Sequence, residues 1–279
     1  MSTQATLETA VEEGRCGDRL WLYATYHCNL ACGYCLTESM PAIANRRTLS
    51  AETMIRTVRE ARELGFGAIG ITGGELFMLP HASETLAEIA SILPTVALTN
   101  ATLFTDRLLN RLEPLAELDI ALQISLDSDQ PDRNDAFRGP ENFAKVERAI
   151  PALLERGITV RIATTVEEQT EDELARLCVL HRSWGISDDD HIVRGVVRRG
   201  RAELAGMGMT PGVTDILPEL TITADGAFLH PFGPTVRHGV TDLDLLVSRQ
   251  VAPLERAAER FLRLVSDQPV GTDVARNIR

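Results

Sequence analysis

The sequence predicts an α/β fold built on parallel strands. Strand-like and helix-like runs alternate through six units in about 180 residues, the pattern of strands joined by crossover helices. Several of the strand-like runs are apolar throughout, which fits strands covered on both faces. Cap and stop residues fall where one unit gives way to the next. Periodicity alone leaves open whether the sheet is doubly wound or forms a full or partial barrel.

The first strand is expected over residues 20–26, an apolar and aromatic run that ends at Cys28. Ser50 is placed to cap a helix that reaches about Leu64, with Gly65 as its stop. Residues 68–72 form a second strand that runs into Gly73 and Gly74, and a helix follows over 82–93. A strand over 95–99 precedes a helix over 106–118, and a strand over 120–126 precedes a helix over 142–155 stopped by Gly157. The β-branched run 158–166 is a fifth strand, 171–184 a helix, and 191–197 a sixth strand. Residues 198–218 change texture and read as a linker. An Asp225-Gly226 turn between two apolar runs predicts a hairpin. Residues 249–265 form a final amphipathic helix, and the last dozen residues are expected to fray.

At about 150 residues per domain, 279 residues suggest two domains, or one α/β barrel with an extension. The composition, 44% hydrophobic and 24% charged, is that of a globular chain and excludes disorder as the main story. Arg and Lys total 28 against 40 Asp and Glu, a net charge of −12, which argues against nucleic acid as a partner. No run approaches the roughly 20 apolar residues of a membrane span, and the first 15 residues are not a signal peptide. The expected address is the cytoplasm, with no membrane partner. There the five cysteines are to be read as metal, redox or catalytic groups rather than as disulfides.

Three of them stand together: Cys28, Cys32 and Cys35, at the exit of the first strand. Sheets and barrels of this class place their sites at that end. Three thiolates this close can converge on one metal centre. A structural zinc site needs a fourth ligand, for which His27 is the local candidate. A four-iron cluster held by three cysteines leaves one iron open to an exogenous ligand, whereas Cys₄ is the electron-transfer arrangement. Three ordinary buried cysteines are the remaining alternative.

Cys-x3-Cys-x2-Cys with Tyr34 before the third cysteine resembles the radical S-adenosylmethionine superfamily. Further motifs fall in that family's order. Gly73, Gly74 and Glu75 end the second strand, with Leu76 where the family usually has Pro. Thr99 and Asn100 end the third, with Ala101 for the family's Gly. Ser125, Leu126 and Asp127 end the fourth, and Arg138 follows in a segment similar to peptide-maturing members. Val196 lies in the sixth strand and its exit, which closes on Gly200, Arg201 and Ala202.

The resemblance implies a partial (β/α)6 barrel of TIM type. It also implies one [4Fe–4S] cluster on Cys28, Cys32 and Cys35, and S-adenosylmethionine on its open iron. Tyr34, Gly74, Ser125 and Arg138 would contact that cofactor, Gly73 and Glu75 would shape its amino end, Asn100 would adjoin them, and main chain near Val196 would touch adenine. Reductive cleavage would give a 5′-deoxyadenosyl radical that takes a hydrogen atom from substrate. An electron donor such as flavodoxin or ferredoxin is the implied partner.

The expected organisation is a lead-in over 1–18, a core barrel over 19–202, a linker over 203–218 and a C-terminal extension over 219–279. That extension resembles the SPASM or Twitch type, whose hairpin carries cysteines for an auxiliary cluster. Here the matching stretch, residues 227–232, has none, and no cysteine follows Cys178. Only Cys16 and Cys178 remain, too few for a second cluster. Either thiol could serve as a hydrogen-atom donor in an epimerisation. His230 and His238 read as core or surface residues rather than as a metal pair. With no auxiliary cluster to accept an electron, a redox-neutral outcome is favoured. With about 18 residues before the first strand, a leader peptide would be recognised by a separate partner or by the barrel itself. The substrate is read as a peptide in natural-product biosynthesis, with a sugar or other small molecule as the rival. The rival of another class is a non-catalytic metal-binding structural or regulatory protein.

Overall fold

A computed structural model of the chain describes residues 2–43, 48–212, 215 and 217–267. Six strands run parallel: β1 (Arg19–Thr25), β2 (Ala68–Gly73), β3 (Thr95–Thr99), β4 (Ile120–Ser125), β5 (Thr159–Val166) and β6 (His191–Gly195). They lie side by side in chain order. A doubly wound sheet reverses its strand order at a switch point. This one does not reverse, and β6 does not pair with β1, so the sheet is the partial (β/α)6 barrel that the resemblance implies.

The helices begin where side chains can satisfy the free amides of a first turn. The Ser50 hydroxyl accepts from the Thr53 amide at 3.1 Å and starts α2 (Ala51–Glu63), and Gly65, at φ +89°, follows its end. Thr105 caps α4 (Asp106–Leu112), and Thr170 forms a capping box with Glu173 at the start of α7 (Glu171–Ser183). The core lies between these helices and the sheet. Leu22, Ile71, Leu122, Ile124 and Ile162 from the strands join Val58, Leu86 and Ile150 from α2, α3 (Ala82–Ala90) and α6 (Asn142–Leu154).

Several elements depart from the expected pattern. The helix expected over 106–118 stops at Leu112 and continues as a 3₁₀ segment, Glu113–Glu117, where Pro114 brings no amide donor. The helix α5 (Pro131–Arg138) was not expected, because the residues it buries, Asn134 and Arg138, are polar and leave no apolar stripe. The helix α1 (Thr3–Glu12) buries only Leu7 and Ala10, too sparse a signal to read.

The stretch expected as a linker begins around α8 (Arg201–Leu204) and doubles back on the barrel. The Arg198 amide donates to the Met209 carbonyl at 2.9 Å, and the Glu167 carboxylate accepts from the Gly208 amide at 2.8 Å. The Asp225-Gly226 turn joins β7 (Thr221–Ile222) to β8 (Ala227–Phe228) as expected. These strands continue the barrel sheet: β7 pairs parallel with β1, and β8 pairs with β11 (Leu246–Ser248). Between them β9 (Val236–Arg237) and β10 (Val240–Thr241) form a small separate hairpin. The final helix, α9 (Leu254–Ser266), starts later than expected, after Pro253. It lays Leu254, Ala258, Phe261 and Val265 against α1 and α2. The expected fraying falls on residues 268–279, outside the described residues. Among the described residues no helix is long and apolar enough to cross a membrane.

Candidate active site

Because the strands are parallel, the loops after each of them share one rim. The cysteine loop leaves β1 there. Cys28, Cys32 and Cys35 all line a cavity of about 140 Å³, together with Gly74, Ser125 and Arg138. A second cavity, of about 170 Å³, adjoins it through Tyr34, Cys35 and Arg194, and adds Tyr23, Val196 and Phe232. Burial pushes the Cys28 thiol up to about 12 and the Cys32 thiol to about 11.

The loop is held from two sides. The Gly33 amide donates to the Phe137 carbonyl at 2.9 Å. From the exit of β6, the Arg201 amide donates to the Cys35 carbonyl at 2.9 Å, and its guanidinium donates to the carbonyls of Cys32 at 2.5 Å and Ser39 at 3.0 Å. Gly200, just before it, stands at φ +59°, and a Cβ there would run into the carbonyls of Leu36 and Cys35. Only glycine fits that approach.

Gly73 and Gly74 line the first cavity, but their lack of side chains serves another contact. A Cβ on Gly73 would strike the Thr25 carbonyl, and one on Gly74 the His27 carbonyl. The glycines let the end of β2 close on the exit of β1.

Glu75 is the expected site residue that the structure draws away from the cavity. It is fully buried, and its carboxylate accepts from the Thr99 hydroxyl and the Asn100 amide at 2.8 Å and from the Phe77 amide at 3.1 Å. Burial raises its pKa against the opposing pull of those donors. Glu75 thus ties the end of β2 to the end of β3 rather than presenting a free carboxylate to an ammonium group. Asn100 stays at the cavity: its amide reaches the Cys28 sulfur at 3.7 Å and the Asn29 side chain at 2.9 Å. Ala101 adopts φ +56°, the conformation for which a glycine would be at ease.

Asp127, which the motif carried without a role, gathers three donors beside the cavity. Its carboxylate accepts from the Tyr34 hydroxyl at 2.6 Å, the Arg138 guanidinium at 2.9 Å and the Thr165 amide at 2.9 Å. The Asn134 side chain in turn accepts from the Asp127 amide at 3.0 Å. Burial lowers the pKa of Arg138, but Asp127 outweighs it and the net shift is upward. The Ser125 hydroxyl lines the cavity and has no hydrogen-bond partner among the described residues. The amide and carbonyl of Val196 are engaged by Val166 and Met209, so it is the buried side chain that it offers to the second cavity.

Residues 22–180, more than half of the chain, match the Radical SAM superfamily. The chain belongs to that superfamily. Among curated proteins it is 36% identical over 163 residues to the antilisterial bacteriocin subtilosin biosynthesis protein AlbA of Bacillus subtilis, covering 58% of this chain and 36% of that one. It is 33% identical over 140 residues to a GTP 3′,8-cyclase of Stenotrophomonas maltophilia, covering 49% and 42%. The chain thus spans less than half the length of these two relatives. Among solved structures it resembles Streptococcus suis SuiB bound to the precursor peptide SuiA, with TM-score 0.66, 15% identity and coverage of 95% and 69%. It also resembles SuiB bound to S-adenosylmethionine, with TM-score 0.57, 20% identity and coverage of 68% and 43%. At these identities the structural likeness speaks for the fold.

Radical SAM enzymes use a [4Fe–4S] cluster and S-adenosylmethionine, and the donor set of this radical SAM chain fits both. Among the described residues no three His, Cys, Asp or Glu side chains gather closely enough to hold a single metal ion. Three thiols spread around one cavity instead suit a cluster, in which each thiolate takes a different iron. A hydroxyl without a partner and a guanidinium beside them suit a polar ligand.

The remaining cysteines lie elsewhere. Cys16 is buried at the opposite end of β1, where burial and then Glu219 and Asp18 push its thiol to about 12. Cys178 faces the His191 ring at 3.4 Å under α7. Neither lines either cavity. His230 is buried against Phe232 and His238 is exposed, the core and surface roles expected of them.

Proposed function

We propose that this chain is a radical SAM enzyme acting on a peptide, with Cys28, Cys32 and Cys35 as ligands of a [4Fe–4S] cluster. The observation that carries the reading is the three thiols around one cavity at the exit of β1. When bound and reduced, the cluster and S-adenosylmethionine supply a 5′-deoxyadenosyl radical that takes a hydrogen atom from substrate.

The chain's own residues bind and orient. Ser125 offers its hydroxyl to the methionine end of the cofactor. Arg138 offers the guanidinium donors that Asp127 leaves over, and Asp127 sets the height of both Arg138 and Tyr34. Gly73, Gly74 and Asn100 form the wall beside the first thiol, and the Val196 side chain faces the adenine. Tyr23, Leu36 and Phe232 line the outer chamber, which gives the reacting carbon a largely apolar surrounding. Phe232 comes from the extension that follows β8, so that segment helps to shape the chamber.

A peptide substrate is supported by the matches to AlbA and to peptide-bound SuiB, the small-molecule rival by the match to GTP 3′,8-cyclase. The test supplies the holoenzyme, a reductant and S-adenosylmethionine with a short precursor peptide encoded beside its gene, in deuterated water. A peptide changed in mass or carrying solvent deuterium supports the reading. An unchanged peptide, with turnover of a nucleotide or sugar instead, overturns the choice of substrate. A peptide two mass units lighter with one 5′-deoxyadenosine per turnover marks an oxidation rather than a redox-neutral reaction.

A further inference from the structure

Arg194 stands on β6 in the wall common to the two cavities. Its Nη1 is shut off from solvent and has no hydrogen-bond partner among the described residues. None of the ion pairs among those residues includes it. The other guanidinium at the site, Arg138, is already paired with Asp127, with its Nε 2.8 Å from the carboxylate. Burial lowers the pKa of Arg194, with Tyr34 and Asp127 acting in the other direction. Arg194 is half-buried, and its solvent-shielded Nη1 donor stays unmet among the described residues, which costs stability unless a ligand supplies the acceptor.

We infer that Arg194 is the receptor for a carboxylate at the junction of the two cavities, carried either by the methionine end of the cofactor or by the substrate. A guanidinium fork matches a carboxylate with two parallel hydrogen bonds. One unpaired cation beside an already neutralised pair calls for a single negative charge, which fits a carboxylate better than a dianionic phosphate facing Asp127. The surrounding walls, Tyr23, Leu36, Val197 and Phe232, add no second positive charge. The inference rests on the proposed function for the identity of the cofactor, and not for the presence of the anion site.

The test measures binding of S-adenosylmethionine, decarboxylated S-adenosylmethionine and glutarate to the reconstituted protein without oxygen. Wild type is compared with Arg194→Gln and with Arg194→Met, which stands in should the first variant fail to fold. If the cofactor supplies the carboxylate, the variants bind S-adenosylmethionine about tenfold or more weakly than wild type does, and bind the decarboxylated form as wild type does. If the substrate supplies it, the variants bind both cofactors as wild type does but hold glutarate about tenfold or more weakly. Variants that bind all three probes as wild type does overturn the inference. Iron content is read separately. A wild type that takes up no iron counts against the proposed function, while the glutarate comparison still tests Arg194.

Discussion

The Arg201 guanidinium donates to the carbonyl of Cys32 at 2.5 Å, joining the exit of the sixth strand to the loop after the first. Two further bonds, to the Cys35 and Ser39 carbonyls, make a three-point hold on that loop. The hydrogen bonds from Arg201 to that loop all go to main-chain carbonyls, so its part is to position the cysteines. Arg201→Met keeps the stem and removes the fork. The expected outcome is a folded protein that loads iron and then loses it to a chelator severalfold faster than wild type. Equal rates of loss would show that the loop holds its shape alone.

Glu75 should behave as a structural tie. Glu75→Gln places an amide donor among the Thr99, Asn100 and Phe77 donors that the carboxylate now satisfies. A lost hydrogen bond to a charged group costs about 1.5–3 kcal/mol. Chemical denaturation should therefore find the variant less stable by at least that much. A stability equal to wild type would return Glu75 to the role of a ligand contact.

Ser125 and Arg138 should separate binding from folding. Ser125→Ala removes a hydroxyl that holds nothing among the described residues, so it should weaken S-adenosylmethionine binding by about tenfold while leaving the melting curve in place. Arg138→Ala also strands the buried Asp127 carboxylate and should cost about 3–5 kcal/mol of stability. Unchanged cofactor affinity in the Ser125 variant would remove that residue from the site.

His181 gives the fold an acid sensitivity. Its ring is buried, neither ring nitrogen has a hydrogen-bond partner among the described residues, and it stacks on Trp184. Burial, then the neighbouring His191, lowers its pKa from 6.5 to about 3. The unfolded chain therefore takes up the proton first as pH falls below about 6.5, and stability drops from there towards about pH 3. At pH 5 the loss from this group is about 2 kcal/mol. His181→Leu should flatten this part of the stability–pH curve, and a parallel curve would contradict the assignment.

Much of this was legible in the sequence because it rests on local chemistry. Ser50, Gly65 and the Asp225-Gly226 turn act on their immediate neighbours, and the strands declare themselves by apolar content. The cysteine spacing marked the site before any geometry. What stayed hidden depends on distant partners. Asp127 collects Tyr34, Arg138 and Thr165 from three elements, and no local pattern foretells that. The same holds for Arg201, whose contacts lie more than 160 residues away. The donors that hold Glu75 are equally hidden, because a motif names a residue without naming its partners, and the helix α5 gives no apolar signal because it buries polar side chains.

The most direct test of the central claim is anaerobic reconstitution with iron and sulfide, followed by reduction in the presence of S-adenosylmethionine. Iron, zinc and 5′-deoxyadenosine are measured on wild type and on Cys28→Ala, Cys32→Ala, Cys35→Ala and Cys178→Ala. The account predicts about four irons per wild-type chain and 5′-deoxyadenosine as product. Both should be lost in each of the first three variants, and Cys178→Ala should match wild type. One tightly held zinc per chain with no 5′-deoxyadenosine, or full iron content after loss of any of the three cysteines, would contradict it.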